Sequence, residues 1–165
     1  MSIKRIGRHL IEHRWRLRRI FPPQVLAAIE AAIRAGEATH SGQLRFVVEG
    51  ALDGAPLFRN QPARERALDI FSQLRIWDTA ENNGVLIYLL LADRDVEIVA
   101  DRGIDALVGA EGWEAICRMM ETDFKTGNFA GGVLKGIDAV SRLLAAHFPS
   151  AGAGKNELPD APVVM

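Results

Sequence analysis

The sequence has a single cysteine, Cys117, among its 165 residues. One thiol excludes an internal disulfide framework and a zinc site built from several cysteines. Long apolar runs are also lacking. The longest, residues 85–92 (VLIYLLLA), is far shorter than the roughly 20 residues of a membrane-spanning helix. The basic N-terminus is not followed by the apolar stretch of a secretory signal. These absences together predict a soluble, cytoplasmic protein.

Net charge is nearly absent as well, at −1, but the charges are unevenly distributed. Residues 1–20 hold seven of the 20 Lys and Arg residues and one of the 21 acids, which gives this segment +6. The other 145 residues hold 13 basic and 20 acidic residues, which gives −7. The basic residues of the N-terminal segment are Lys4, Arg5, Arg8, Arg14, Arg16, Arg18 and Arg19.

Two interpretations of this basic segment stay open. Its charges suit an anionic membrane surface or an acidic protein, so that the protein would be peripheral to a membrane; nucleic acid is not the expected partner. Alternatively, its apolar residues dock it on the acidic body of the protein and the arginines are merely solvated.

Hydrophobic periodicity predicts an α/β fold in which helices sandwich a small mixed β-sheet of three or four strands. Strands are expected where apolar and β-branched residues are continuous, at residues 43–49, 84–91 and 96–100, with residues 51–59 as one place for a fourth. Helices are expected at residues 3–19, from Pro22-Pro23 to Gly36, and at 62–74, 104–108, 111–125 and 129–147.

The chain divides into three parts on this pattern. Residues 1–21 form a basic N-terminal helix and residues 22–149 form the α/β domain. Residues 150–165 are small, polar and proline-bearing, and are predicted to be a disordered tail.

The predicted topology gathers polar residues at one edge of the sheet. A helix joins the first two strands, which should be parallel, and a tight turn joins the second and third, which should be antiparallel. If the three are neighbours, one edge collects His40, Ser41, Gln43, Thr79, Asn82, Asn83 and Asp101. The opposite edge is then a charged turn that contains Glu49, Asp93, Arg94 and Asp95.

Asp101 is the acid at the first edge and has three interpretations. It could cap the helix that follows, since Asp is a favoured N-cap residue. It could instead tie the start of the second strand to the end of the third by a hydrogen bond. It could also be an oxygen ligand for Ca²⁺ or Mg²⁺, together with Ser41, Thr79 and Asn83.

Several short motifs resemble a known family in their order and spacing. They are residues 41–45 (SGQLR), Thr79, 83–88 (NGVLIY), 96–104 (VEIVADRGI), Trp113 and 128–149. In this respect the chain resembles the TPM domain family, which includes the thylakoid lumen phosphatase-like protein, and looks like a stand-alone bacterial member.

The resemblance implies a compact α/β sandwich. It also implies a relationship to weak acid phosphatases, to domains that bind calcium or other divalent cations, and to factors that assist photosystem repair. Where relatives commonly read Ser-Gly-Glu, this chain has Gln43, which removes a carboxylate from the predicted edge.

Motifs for catalysis are not evident. We find no Ser–His–Asp order, phosphate-binding glycine loop or nucleophile motif. The sequence therefore predicts a TPM-type binding or accessory module for an unknown protein partner, with a weak divalent-cation site near Asp101. A weak metal-assisted, phosphatase-like hydrolase is one alternative. The other is a membrane or nucleic-acid adaptor that acts through the basic N-terminal helix.

Overall fold

The computed structural model describes residues 3–11, 14–152 and 155–165. Within these ranges the helices are α1 (Ile3–Ile11), α2 (Arg14–Ile20), α3 (Pro23–Glu37), α4 (Gly54–Phe58), α5 (Ala63–Gln73), α6 (Arg102–Lys125) and α7 (Phe129–His147). The strands are β1 (Gln43–Glu49), β2 (Gly84–Leu90), β3 (Asp95–Ala100) and β4 (Val163–Val164). The predicted α/β class, with a mixed sheet and an additional N-terminal helical segment, is confirmed.

The four strands form one sheet in the order β3-β2-β1-β4. β1 and β2 are parallel, with Gln43 opposite Gly84, and β2 and β3 are antiparallel, with Val85 opposite Ala100. Every residue of β1 and β2 is buried, because helices cover both faces of the sheet. Helices α3, α6 and α7 pack on one face, whereas α4 and α5 pack on the other.

Glycine interrupts α6 at the position where the sequence separated two helices. Gly109 has φ of +74° inside the helix, a backbone conformation that side chains with a Cβ rarely adopt. The predicted helices at 104–108 and 111–125 therefore correspond to the two arms of one kinked element.

The N-terminal segment differs from the single helix predicted over residues 3–19. The structure describes two helices, α1 and α2, and residues 12–13 between them lie outside the described residues. The fourth strand also lies elsewhere than residues 51–59, which contain the short helix α4 instead.

The disordered tail predicted for residues 150–165 is wrong for its final part. Residues 155–165, which we call the C-terminal segment, run along β1, and β4 pairs in parallel with Val47 and Val48. The backbone N–H of Met165 donates to the Val48 carbonyl at 2.9 Å, and that of Gly50 donates to the Met165 carbonyl at 3.0 Å. These main-chain bonds to a distant strand order a segment whose proline and charged residues suggested disorder.

Candidate functional site

The predicted polar edge of the sheet is present, and backbone hydrogen bonds join its parts. The N–H of Asp101 donates to the Gly84 carbonyl at 2.8 Å, and the N–H of Gly103 donates to the Asn82 carbonyl at 2.9 Å. A Cβ at Gly103 would lie only 2.5 Å from the Asn82 oxygen and 2.7 Å from the Glu81 oxygen. Glycine is therefore required where the start of α6 meets the loop before β2.

Asp101 caps α6, as one of its three interpretations predicted. Its Oδ1 accepts a hydrogen bond from the backbone N–H of Arg102 at 2.7 Å. The residue is only 8% exposed, and its second oxygen, Oδ2, is buried without a hydrogen-bond partner among the described residues. Capping thus accounts for one carboxylate oxygen and leaves the other unexplained.

Ser41, Thr79 and Asn83 form a second part of the site. The backbone N–H of Asn83 donates to Thr79 Oγ1 at 3.1 Å, and its side-chain Nδ2 lies 3.4 Å from Ser41 Oγ. Glu81 connects them, because its Oε2 accepts from Ser41 Oγ at 2.5 Å and from Asn83 Nδ2 at 3.2 Å. Asn83 is 1% exposed, and its Oδ1 has no hydrogen-bond partner among the described residues.

The four predicted site residues are therefore only partly joined. Glu81 links Ser41 to Asn83, and Thr79 bonds the Asn83 backbone. Asp101 is joined to this network through the main chain, by its own N–H to the Gly84 carbonyl. Glu81 was not among the site residues predicted from the sequence. The available signal was its place in the same polar connection, between Thr79 and Asn83.

Two other residues of this edge have different tasks. His40 is buried, with Nδ1 3.0 Å from the Gly42 carbonyl, and burial lowers the pKa of its imidazole. Gln43 faces the C-terminal segment, where its Oε1 accepts hydrogen bonds from the backbone N–H groups of Glu157 and Leu158, both at 2.9 Å. Neither side chain has a described hydrogen bond to the Asp101 carboxylate.

The donor set of this edge fits a hard cation and no other metal class. Carboxylate, amide and hydroxyl oxygens are ligands for Ca²⁺ and Mg²⁺, whereas zinc and copper prefer nitrogen and sulfur. Among residues 3–11, 14–152 and 155–165, no group of three or more His, Cys, Asp or Glu side chains could hold a metal ion. The positive end of the α6 dipole also opposes a cation beside Asp101.

At the opposite edge, Asp93 contacts the N-terminal helix α1 instead of facing solvent. Its Oδ2 lies 2.9 Å from Arg5 Nε and 3.2 Å from His9 Nε2. The backbone N–H of Leu52 donates to His9 Nδ1 at 2.9 Å, which leaves the other ring nitrogen, Nε2, on the side of Asp93. Helix α1 thus docks on the body of the domain, but Arg5 is paired with Asp93 rather than solvated, while Ile3 and Leu10 are exposed. Membrane binding by the basic residues stays a prediction.

Similarity to known proteins identifies the fold. The family model described as the TPM domain matches residues 17–143. This chain belongs to the TPM domain family. The NMR structure of the BA42 protein from the psychrophilic bacterium Bizionia argentinensis is 31% identical, covers 86% of this chain and 93% of its own, and superposes with a TM-score of 0.75.

A second solved structure supports the fold alone. The N-terminal domain of a protein from P. gingivalis is 22% identical, with 74% of each chain covered and a TM-score of 0.60. No curated protein matches the chain. Within the described residues of this TPM domain, none of the helices has the length and apolar character that crossing a membrane requires.

Proposed function

We propose that this TPM domain is a non-enzymatic binding or accessory module that takes a divalent cation, Ca²⁺ or Mg²⁺, at the corner formed by Asp101 and Asn83. The observation that carries the proposal is a pair of buried oxygens, Asp101 Oδ2 and Asn83 Oδ1, that have no hydrogen-bond donors among the described residues. Buried polar atoms in folded proteins are normally satisfied, and a cation or an ordered water is the usual partner where no protein donor exists.

The surrounding groups favour a weak cation site rather than a tight one. Asp101 supplies one carboxylate, and Glu81 supplies a second that is already hydrogen bonded to Ser41 and Asn83. Sites with few charged oxygens bind Ca²⁺ with dissociation constants of about 10⁻⁴–10⁻³ M. A cation bound to Asp101 and Asn83 would hold the loop before β2 against the start of α6, which is an accessory role in positioning a binding surface.

A metal titration followed by NMR tests the proposal directly. Amide signals of residues 41, 79–83 and 101–103 should shift with Ca²⁺ or Mg²⁺ at millimolar concentration, whereas those of the opposite edge around Asp93 should not. A spectrum that is unchanged both at 10 mM Ca²⁺ and at 10 mM Mg²⁺, roughly ten times the weakest dissociation constant expected, would rule the site out.

One substitution separates cation binding from helix capping. Asp101→Asn keeps a good N-cap residue but loses the carboxylate, so the metal-induced shifts should disappear while stability changes little. Asp101→Ala should lose the shifts and also about 1 kcal/mol of stability. Asp53→Asn is the matched control, because Asp53 is an exposed N-cap of α4 whose side chain makes no capping bond.

A further inference from the structure

The C-terminal segment contacts the body of the domain mainly through its main chain. Gln43 Oε1 accepts hydrogen bonds from the N–H groups of Glu157 and Leu158, and Arg45 Nη1 donates to the Pro159 carbonyl. Beyond these, β4 adds a parallel strand to the edge of β1. Recognition of an extended chain by strand addition is a recurrent mode of peptide binding, in which main-chain bonds supply affinity.

The groups of the body that make these bonds lie on one strand of the sheet. Gln43 is 4% exposed and Arg45 is 7% exposed, and both lie on the face of β1 that also carries Val47. The C-terminal segment itself contributes to this burial, since it lies against both side chains. Their polar ends make hydrogen bonds to the segment, so β1 presents a row of hydrogen-bonding groups to an extended peptide.

The C-terminal segment, in contrast, is not part of the core. Each of residues 155–165 is exposed or half-buried, although it touches fully buried residues of β1. Leu158 and Val163 pack against the edge of the core cluster without being enclosed by it. A segment of this kind is held as a surface ligand is held, by main-chain bonds and a few side-chain contacts.

Side-chain contacts define which peptide would fit. Asp160 Oδ2 pairs with Arg34 Nε at 3.2 Å, and the Asp160 side chain is only 8% exposed. Glu157 accepts a hydrogen bond from the backbone N–H of Ala80 at 3.1 Å. The body therefore contacts two acidic residues of the peptide, one on each side of Leu158-Pro159, and then the β-branched pair of β4.

We propose that the edge of β1, with Arg34, Gln43 and Arg45, is a receptor for an extended acidic peptide, and that residues 157–164 are its ligand within the same chain. A segment of a partner protein with the same chemistry would bind there from outside. It would supply a carboxylate to Arg34, a carbonyl to Arg45 and two successive N–H groups to Gln43, with a β-branched pair three residues beyond the carboxylate.

The covalent connection keeps the site filled in the isolated protein. Residues 148–156 join α7 to the docked part, and their sequence is FPSAGAGKN. A connection this short gives the attached segment an effective concentration on the order of millimolar. A partner peptide therefore competes poorly with the intact chain, and cutting the connection exposes the intrinsic affinity.

Exchange of the C-terminal segment tests the receptor in the full-length protein. A protease recognition sequence is placed between residues 150 and 156, the folded protein is cut, and a fluorescein-labelled synthetic peptide of residues 155–165 is added. Anisotropy should show uptake by the cut protein, at least about tenfold tighter than by the intact chain, because the tethered competitor is gone. Native mass spectrometry should show one peptide per domain.

Charge exchange makes the test specific. The Asp160→Lys peptide should bind the cut wild-type protein at least about threefold more weakly, since it brings a like charge to Arg34, whose side chain is 66% exposed and also pairs with Glu30. It should bind the cut Arg34→Glu protein better than the wild-type peptide does. The Ala161→Ser peptide is the matched control and should bind like wild type, because Ala161 is exposed.

Three results would overturn the proposal. The cut protein could unfold or lose its segment without taking up the labelled peptide, which would make the segment a fixed part of the fold. The intact and cut proteins could bind the peptide equally, which would place binding elsewhere. The Asp160→Lys and wild-type peptides could bind both receptors alike, which would remove Arg34 from recognition.

Discussion

Arg66 on α5 forms an ion pair with a buried carboxylate, and removal of the Arg66 side chain should be strongly destabilising. Its Nε and Nη2 each lie 2.9 Å from a different oxygen of Glu49, at the end of β1. The Tyr88 hydroxyl donates to the same carboxylate at 2.6 Å. The Glu49 and Arg66 side chains are 9% and 15% exposed, so water reaches neither of them well.

Arg66→Ala removes two of the three donors and leaves Glu49 buried with the Tyr88 hydroxyl alone. Loss of one partner of a buried ion pair costs about 3–5 kcal/mol, and the residual exposure of this pair places the expected loss near about 3 kcal/mol. Tyr88→Phe removes a single hydrogen bond to a charged group and should cost about 1.5–3 kcal/mol. Arg66→Ala should therefore be at least as damaging as Tyr88→Phe, although Tyr88 is the more deeply buried residue.

Urea denaturation followed by circular dichroism measures these losses as a decrease in the free energy of unfolding. Arg142→Ala is the matched control, because the Arg142–Asp138 pair has a 3.0 Å contact but side chains that are 79% and 61% exposed. That variant should stay within about 0.5 kcal/mol of wild type. Equal losses for Arg66→Ala and Arg142→Ala would refute the argument.

Two further predictions use residues of other elements. Burial raises the pKa of Glu37 to about 8, against the opposing hydrogen bond from the Leu44 N–H. Between about pH 4.5 and pH 8 the folded protein keeps the Glu37 proton that the unfolded chain has lost, so the free energy of unfolding falls as pH rises through this range. Glu37→Gln should remove that fall. Parallel curves of Tm against pH for the variant and the wild type would contradict this prediction. Gly84→Ala should destabilise the protein by about 3 kcal/mol or more, since its Cβ would collide with the Ile76 carbonyl. A Cβ at Gly7 meets nothing within 4 Å, so Gly7→Ala should stabilise α1 by up to about 1 kcal/mol. Equal urea midpoints for the two variants would refute the steric explanation.

The polar edge of the sheet could be predicted because it follows from connectivity. A helix between β1 and β2 and a tight turn between β2 and β3 determine which strand ends meet, whatever the side chains do. The observed register, with Gln43 opposite Gly84 and Val85 opposite Ala100, places Asn83 and Asp101 at that edge. The tasks of the individual side chains did not follow, because hydrogen-bond partners depend on rotamers and on loop conformation.

The C-terminal strand could not be predicted for a different reason. Val163 and Val164 pair with Val47 and Val48, more than a hundred residues earlier, and local periodicity carries no information about such a partner. Composition was misleading in addition, because the segment is ordered by its hydrogen bonds with β1, Gln43 and Arg45 and by the packing of Leu158 and Val163 on the core. The same limitation applies to Asp93, whose partners lie in α1 rather than in the turn around it.

Gln43 shows how the two proposed sites relate. The sequence suggested that a glutamine in place of a carboxylate weakens a cation site at this edge, but the Gln43 side-chain oxygen accepts its two hydrogen bonds from the C-terminal segment. The cation proposal therefore depends on Asp101, Asn83 and Glu81, and the loss of charge at residue 43 bears on peptide recognition instead. A neutral amide there accepts the two N–H groups without adding a negative charge next to Glu157, which a glutamate would repel. Gln43→Glu should accordingly weaken docking of the C-terminal segment while leaving the metal-induced shifts of residues 79–83 in place.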